Sequence, residues 1–204
     1  MRLLFILLAT MLLMSGCVTN TRKASENQHD ETDSLKIEYL NKGRQIVSLS
    51  FAALSRQLQW AIGEKGLTGA LSFCNVHALP ITDSLAEVMQ VTISRTALRY
   101  RNPENAPDPV DEQIMRHFEQ LILQSGKAAD TLIVNEKGHF VYMAPILTGA
   151  ACLQCHGAPE IHIRPQTMDL LRSLYPDDRA IGFSEGELRG MWKVQFSTPE
   201  TLIQ

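Results

Sequence analysis

The sequence has no excess of positive charge, no apolar run long enough to span a bilayer, and only one closely spaced pair of cysteines. Lysine and arginine number 19 against 22 acidic side chains, a balance that argues against nucleic acid as a partner. The apolar run at residues 3–14 is shorter than the about 20 residues that a membrane-spanning helix needs. Because a second C-x-x-C pair is absent, a structural zinc site is disfavoured.

The composition is that of a globular domain. The chain has 204 residues, of which 45% are hydrophobic and 20% are charged. These values fit one ordinary domain and exclude wholesale disorder, a collagen helix and a coiled coil.

The start of the chain has the pattern of an export signal. Arg2 precedes the apolar run, and Ser15 and Gly16 stand directly before Cys17. This resembles the bacterial lipoprotein signal, with Met14 where that signal usually has Leu. We expect residues 1–16 to be removed and Cys17 to be lipidated, since two or more acyl chains at ~0.8 kcal/mol per buried CH₂ hold a domain at a membrane surface. The alternative is an uncleaved N-terminal anchor with an incidental cysteine.

This signal places the domain on the periplasmic side of a bacterial membrane, whether inner or outer. Residues 17–34 are polar and without periodicity, which indicates a tether, and the domain proper then covers residues 35–204. The membrane is therefore an expected partner through the lipid.

Helices are predicted in the first half of the domain. The first helix should end near Gly63 or Gly66. It carries an apolar stripe of Leu40, Val47, Phe51, Leu54, Leu58 and Ile62. A second helix is expected to begin near Thr68 and to stop at Pro80.

Strands follow in the second half, around one more helix. Asp108 and Pro109 start a helix that should stop at Gly126. Strands are predicted at residues 91–100, at 131–134 and 139–145 as a hairpin, and around Trp192 to Phe196. This order favours an α+β fold with an antiparallel sheet.

Residues 152–156, with the sequence Cys-Leu-Gln-Cys-His, form the attachment motif of a c-type haem. Cys152 and Cys155 can add to the two vinyl groups of a porphyrin, and His156 then lies under the iron as a ligand. The competing interpretations are a thioredoxin-like dithiol, half of a zinc site and a plain disulfide.

Cys74 is the thiol that remains once Cys17, Cys152 and Cys155 are assigned. In an oxidising compartment a lone cysteine is either a small buried hydrophobe or a functional group. It shares a helix face with Leu71 and Ala78, so it is a candidate second axial ligand. The other candidates for that position are Met143, Met89 and His77.

Three arginines lie on one segment beside a proline-rich loop. Haem carries two propionates, which guanidinium groups bind in bidentate fashion. The alternative is an exposed strand face with scattered charge. The candidates for propionate binding are Arg95, Arg99 and Arg101.

The order of these motifs resembles a bacterial family of exported domains with a single c-type haem. The resemblance covers about residues 35–198, and residues 95–107 around Arg-Asn-Pro-Glu-Asn-Ala-Pro carry it most specifically, together with residues 70–75, 142–146, 152–157 and 182–190. Such domains occur alone in cyanobacteria and other bacteria and as the sensor region of some histidine kinases. The resemblance implies a PAS-like fold with one covalent haem, and it implies that Cys74 and His156 ligate the iron.

Two functions fit these features. The first is a redox or ligand sensor whose signal passes to a separate protein partner, and the alternative is an electron carrier between membrane-bound redox partners. We do not expect an enzyme, because a peroxidase or nitrite reductase needs an open iron position that two strong axial ligands would close.

Overall fold

A computed structural model describes the backbone of residues 15–197 and the side chains of residues 33–197 except that of Ala78. Most of the predicted signal peptide and the side chain of Cys17 lie outside this description. The chain divides into two compact units between Tyr39 and Leu40, and the fold below is that of the second unit. Within the described part of the chain, no helix combines the length and apolar character needed to cross a bilayer.

Helix α1 (Ser15–Met89) is broken at Gly66, whose φ of 67° is left-handed. The predicted end of the first helix near this residue is confirmed. The helix already includes residues 17–34, for which the sequence predicts a tether, and that segment contains neither Gly nor Pro to end it. The predicted stop at Pro80 is wrong, because the helix continues through it. Val76 and Pro80 are both exposed, so water can reach the carbonyl that the missing N–H leaves free.

The sheet has four antiparallel strands: β1 (Val91–Thr96), β2 (Thr131–Val134), β3 (Phe140–Leu147) and β4 (Leu188–Phe196). They lie side by side in the order β1-β4-β3-β2. The predicted α+β class, with long helices before an antiparallel sheet, is confirmed. The hairpin between β2 and β3 turns at Asn135, whose side-chain oxygen accepts from the N–H groups of Lys137 and His139 at 3.0 Å.

Helix α2 (Pro109–Ser125) covers one face of the sheet. Its predicted ends are confirmed, since the Asp108 carboxylate accepts from the Asp111 N–H at 2.7 Å and Gly126 ends the helix with a φ of 75°. Lys193 of β4 donates to the carboxylates of Asp108 and Asp111 and so connects the start of the helix to the sheet. The buried core on this face consists of Met115, Phe118, Val141, Met143, Leu188 and Met191.

The part of α1 before Gly66 approaches the opposite face of the sheet closely at Gly43. A Cβ at Gly43 would lie 2.2 Å from the ring of Tyr142, so only glycine fits there. The predicted apolar stripe is only partly the packing face: Phe51 is 59% exposed, whereas Ser50 and Ala61 are fully buried.

The strand register gathers three loop segments at one end of the sheet. Thr96, at the end of β1, pairs with Met191, and Leu147, at the end of β3, pairs with Leu188. Residues 97–101, residues 148–157 and the start of β4 therefore meet at the same end. Two short helices, α3 (Leu153–His156) and α4 (Pro165–Leu174), complete this region.

Candidate functional site

The attachment motif forms a tight helical turn at this end of the sheet. Cys152 closes a 3-10 turn (Ala150–Cys152), and α3 follows at once. Cys152 is exposed and Cys155 is half-buried, and both are free thiols. The N–H of Gly149 lies 3.4 Å from Cys152 Sγ and donates to it. Residues three apart on such a turn share a side, so the two thiols can reach one planar group.

A loop before β4 holds the backbone of the motif in place. The Phe183 N–H donates to the His156 carbonyl at 2.9 Å, and the Gly182 N–H donates to the Gly157 carbonyl at 2.8 Å. Gly182 has a φ of 76°, a conformation that glycine adopts without strain. The orientation of the motif is therefore set by main-chain hydrogen bonds.

The imidazole of His156 is oriented by a backbone carbonyl. Nδ1 lies 2.8 Å from the Ala180 oxygen and 3.3 Å from Nε of Arg189. A carbonyl oxygen can only accept and an arginine Nε–H can only donate, so the two contacts call for opposite tautomers of the ring. The shorter contact, with Ala180, favours the proton on Nδ1, which leaves the lone pair of Nε2 free. This is the tautomer that a metal-binding histidine needs. Phe183 packs edge-on to the ring, with the ring centroids 6.3 Å apart.

The protonation state of His156 also suits a role as a metal ligand. Burial lowers the pKa of the imidazole well below its usual value, and the positive charges of Arg189 and Arg101 lower it further. The ring is therefore neutral at neutral pH. Burial raises the pKa of the Cys155 thiol.

Cys74 is brought to the motif by the part of α1 after Gly66. Its half-buried thiol interacts electrostatically with Cys155, Arg95 and Arg101. Burial raises the pKa of this thiol, and the two arginines oppose that shift. One turn before it, Leu71 forms a core cluster with Ile163 and Leu171, against which Cys155 and Tyr175 also pack.

The other residues considered as a second ligand lie elsewhere. Met143 is 1% exposed in the core between α2 and the sheet. His77 is exposed and stacks on Phe73, with the ring centroids 4.5 Å apart. Met89 ends α1, about 22 Å along the helix from Cys74 at 1.5 Å per residue.

The three predicted arginines lie around the motif and differ in their partners. Arg101 pairs with the buried Asp178 at 3.0 Å and donates to the Cys155 carbonyl at 2.6 Å. Arg99 lies 3.8 Å above the ring of Phe183 and donates to the Ile181 carbonyl.

Arg95 has a different environment, half-buried with its guanidinium 5.6 Å from the ring of Trp192. Burial lowers its pKa, and the interaction with Cys74 raises it. Among the side chains that the structure describes, no carboxylate forms an ion pair with it.

Sequence reasoning did not single out a fourth arginine of this cluster. Arg189, the second residue of β4, donates from Nη1 to the Arg99 carbonyl at 3.2 Å. Burial lowers its pKa to about 10, and Arg101 contributes to this shift. Only its position in a segment shared with the resembled family, residues 182–190, could have drawn attention to it.

These groups fit a haem with two propionates. In such a complex, the imidazole nitrogen and a nearby thiol would serve as iron ligands, and the two thiols on one turn would serve as attachment points. Within residues 33–197, the arginine cluster forms ion pairs with only Asp178 and Glu187, so its positive charge exceeds the local negative charge. Two carboxylates of a cofactor would balance it.

Comparisons with known proteins agree with this chemistry. A family model described as Tll0287-like matches residues 17–197. A solved structure described as the cyanobacterial heme-protein Tll0287 is similar to this chain with 26% identity and a TM-score of 0.57, over 80% of this chain and 96% of that one. A search of curated proteins found no match.

Proposed function

Because the chain belongs to the Tll0287-like family, we propose that it binds one haem covalently, with Cys152 and Cys155 as attachment points and His156 as an iron ligand. The similar solved protein is a cyanobacterial heme-protein, which supports haem as the cofactor. The observation that carries the proposal is the Nδ1 contact of His156 with the Ala180 carbonyl, 2.8 Å long, because it leaves Nε2 free next to two thiols.

The addition of Cys152 and Cys155 to the vinyl groups is itself redox-neutral. Each thiol adds across one vinyl double bond, so that sulfur bonds to one carbon and the thiol hydrogen moves to the other. Both thiols must be reduced when this happens. The exposure of Cys152 keeps the first attachment point accessible.

Cys74 is proposed as the second axial ligand, bound as thiolate. Its proximity to Cys155 supports this role, and so does the positive charge of Arg95 and Arg101, which favours the anionic sulfur. The same arginines, with Arg99, are proposed to face the propionates. Arg95 is the best placed of the three, since Arg101 already pairs with Asp178.

The proposed role is a redox or ligand sensor that signals to a separate protein. Two strong ligands close the iron to substrate, and an anionic sulfur is the ligand whose bond responds most to the charge of the iron. Electron carriage between membrane-bound partners is the second candidate. The exposure of Cys152 favours it, because it brings the attached edge of a haem near the surface.

Spectra through a redox cycle distinguish the two roles. Absorption and electron paramagnetic resonance spectra of the ferric and ferrous protein are recorded with and without carbon monoxide or nitric oxide. A sensor is expected to exchange one axial ligand on reduction or gas binding. Retention of both ligands in both oxidation states, with no gas adduct, contradicts the sensor and favours the carrier.

A lipid anchor at Cys17 on the periplasmic side is also proposed, supported by Ser15-Gly16-Cys17 after the apolar run. The mass of the mature N-terminal peptide is expected to show a lipidated cysteine. Cys17→Ser should block both lipidation and processing at this site. An unlipidated N-terminus on the wild-type protein contradicts the anchor.

A further inference from the structure

A half-buried guanidinium lies against the histidine of the attachment motif without a carboxylate within ion-pair distance. Nε of Arg189 is 3.3 Å from Nδ1 of His156. The Nε–H of Arg189 is directed at Nδ1, on the same side of the ring as the Ala180 carbonyl, so the guanidinium charge lies directly against the imidazole.

The partners of Arg189 hold it in this position. Nη1 donates to the Arg99 carbonyl at 3.2 Å, and the guanidinium lies 5.5 Å from the ring centroid of Phe183. Phe183 in turn packs on His156. Among the described side chains, no acid lies within ion-pair distance of Arg189, so its charge is not neutralised by a direct partner.

Given the proposed ligation of haem iron by His156, we propose that Arg189 is a positioning residue whose fixed positive charge, acting through His156, raises the reduction potential of the iron. A nearby cation favours the oxidation state that holds one more electron. Because Arg189 is half-buried, this effect is screened by solvent less than that of a fully exposed charge.

This role opposes that of the proposed sulfur ligand. Thiolate donates negative charge and stabilises ferric iron, whereas Arg189 stabilises ferrous iron from the opposite ligand. The balance between them would bring the potential closer to the range in which a cellular reductant can change the state of the iron. Arg189 thus deepens the proposed redox function by naming a residue that adjusts it.

The test measures the midpoint potential of the full-length, haem-loaded protein by optical titration. Arg189→Gln and Arg189→Met remove the charge, and Arg189→Lys retains it. Arg179→Gln is the matched control, because Arg179 belongs to the same region but is exposed. We expect the neutral variants to favour the ferric state at least tenfold, which is 59 mV for a one-electron couple. The lysine variant should stay closer to the wild type.

The outcomes separate this proposal from the function on which it rests. If the neutral variants keep covalent haem and a low-spin spectrum but change in potential no more than Arg179→Gln, the role of Arg189 is wrong. If one neutral variant fails to fold, the other decides. Absence of covalent haem or of histidine ligation in the wild type would instead contradict the proposed function.

Discussion

Replacing Cys152 and Cys155 together with serine is expected to abolish covalent haem. Serine hydroxyls do not add to vinyl groups under the conditions in which thiols do, so no thioether forms. Acid–acetone extraction should release all haem from the double variant and none from the wild type. A haem stain after denaturing electrophoresis should show the same loss.

The two single-cysteine variants of the motif and a variant of Cys74 serve as controls for this result. Cys152→Ser and Cys155→Ser should each retain one thioether, and Cys74→Ser should retain both, since Cys74 lies outside the motif. Far-ultraviolet circular dichroism is the control for folding of the double variant. Covalent haem that persists in the double variant would show that another residue is the attachment point.

Cys74→Ala is expected to leave the haem attached but to change its iron. Without the sulfur, the ferric iron becomes five-coordinate or binds water, and it should bind added imidazole or cyanide readily. Loss of an anionic donor destabilises the ferric state, so the potential should rise by on the order of 100 mV, well within the ~0.8 V range that axial ligands set. Electron paramagnetic resonance and a redox titration measure both effects.

His77→Ala is the matched control for Cys74→Ala. His77 follows Cys74 by about one helical turn but is exposed against Phe73. It should keep the wild-type low-spin spectrum and potential. The reverse pattern, with a spectrum lost in the His77 or Met143 variant and kept in Cys74→Ala, would move the ligand away from Cys74 and favour the electron carrier.

Local signals in the sequence predicted much of the fold. Asp108, Pro109 and Gly126 act within one turn of the ends of α2, and the structure confirms both ends. The Asn135 turn likewise specifies its hairpin from adjacent residues. Pro80 was misleading because the consequence of its missing N–H depends on solvent access, which sequence spacing does not reveal.

In the candidate site, too, the residues of the local motif could be predicted from the sequence, whereas contacts with residues distant in sequence could not. Cys152, Cys155 and His156 follow from five adjacent residues, whereas Cys74 was one of several candidates until the resemblance to a family implied it. The contacts that orient His156 come from Ala180 and Arg189, which reach it only through the antiparallel pairing of β3 and β4. No local pattern encodes such a contact, so only the structure brought these residues to light.

With haem bound as proposed, thioether formation and sulfur ligation are two separate stages in the maturation of the protein, because Cys74 lies far in sequence from the attachment motif. Thioether formation needs only the short motif, so an unfolded chain can accept the cofactor. Sulfur ligation from Cys74 needs the docking of α1 beside Ile163 and Leu171. With haem bound as proposed, the colour of the protein becomes an optical reporter of tertiary folding: denaturant would detach the sulfur and shift the spectrum while the haem stayed on the chain.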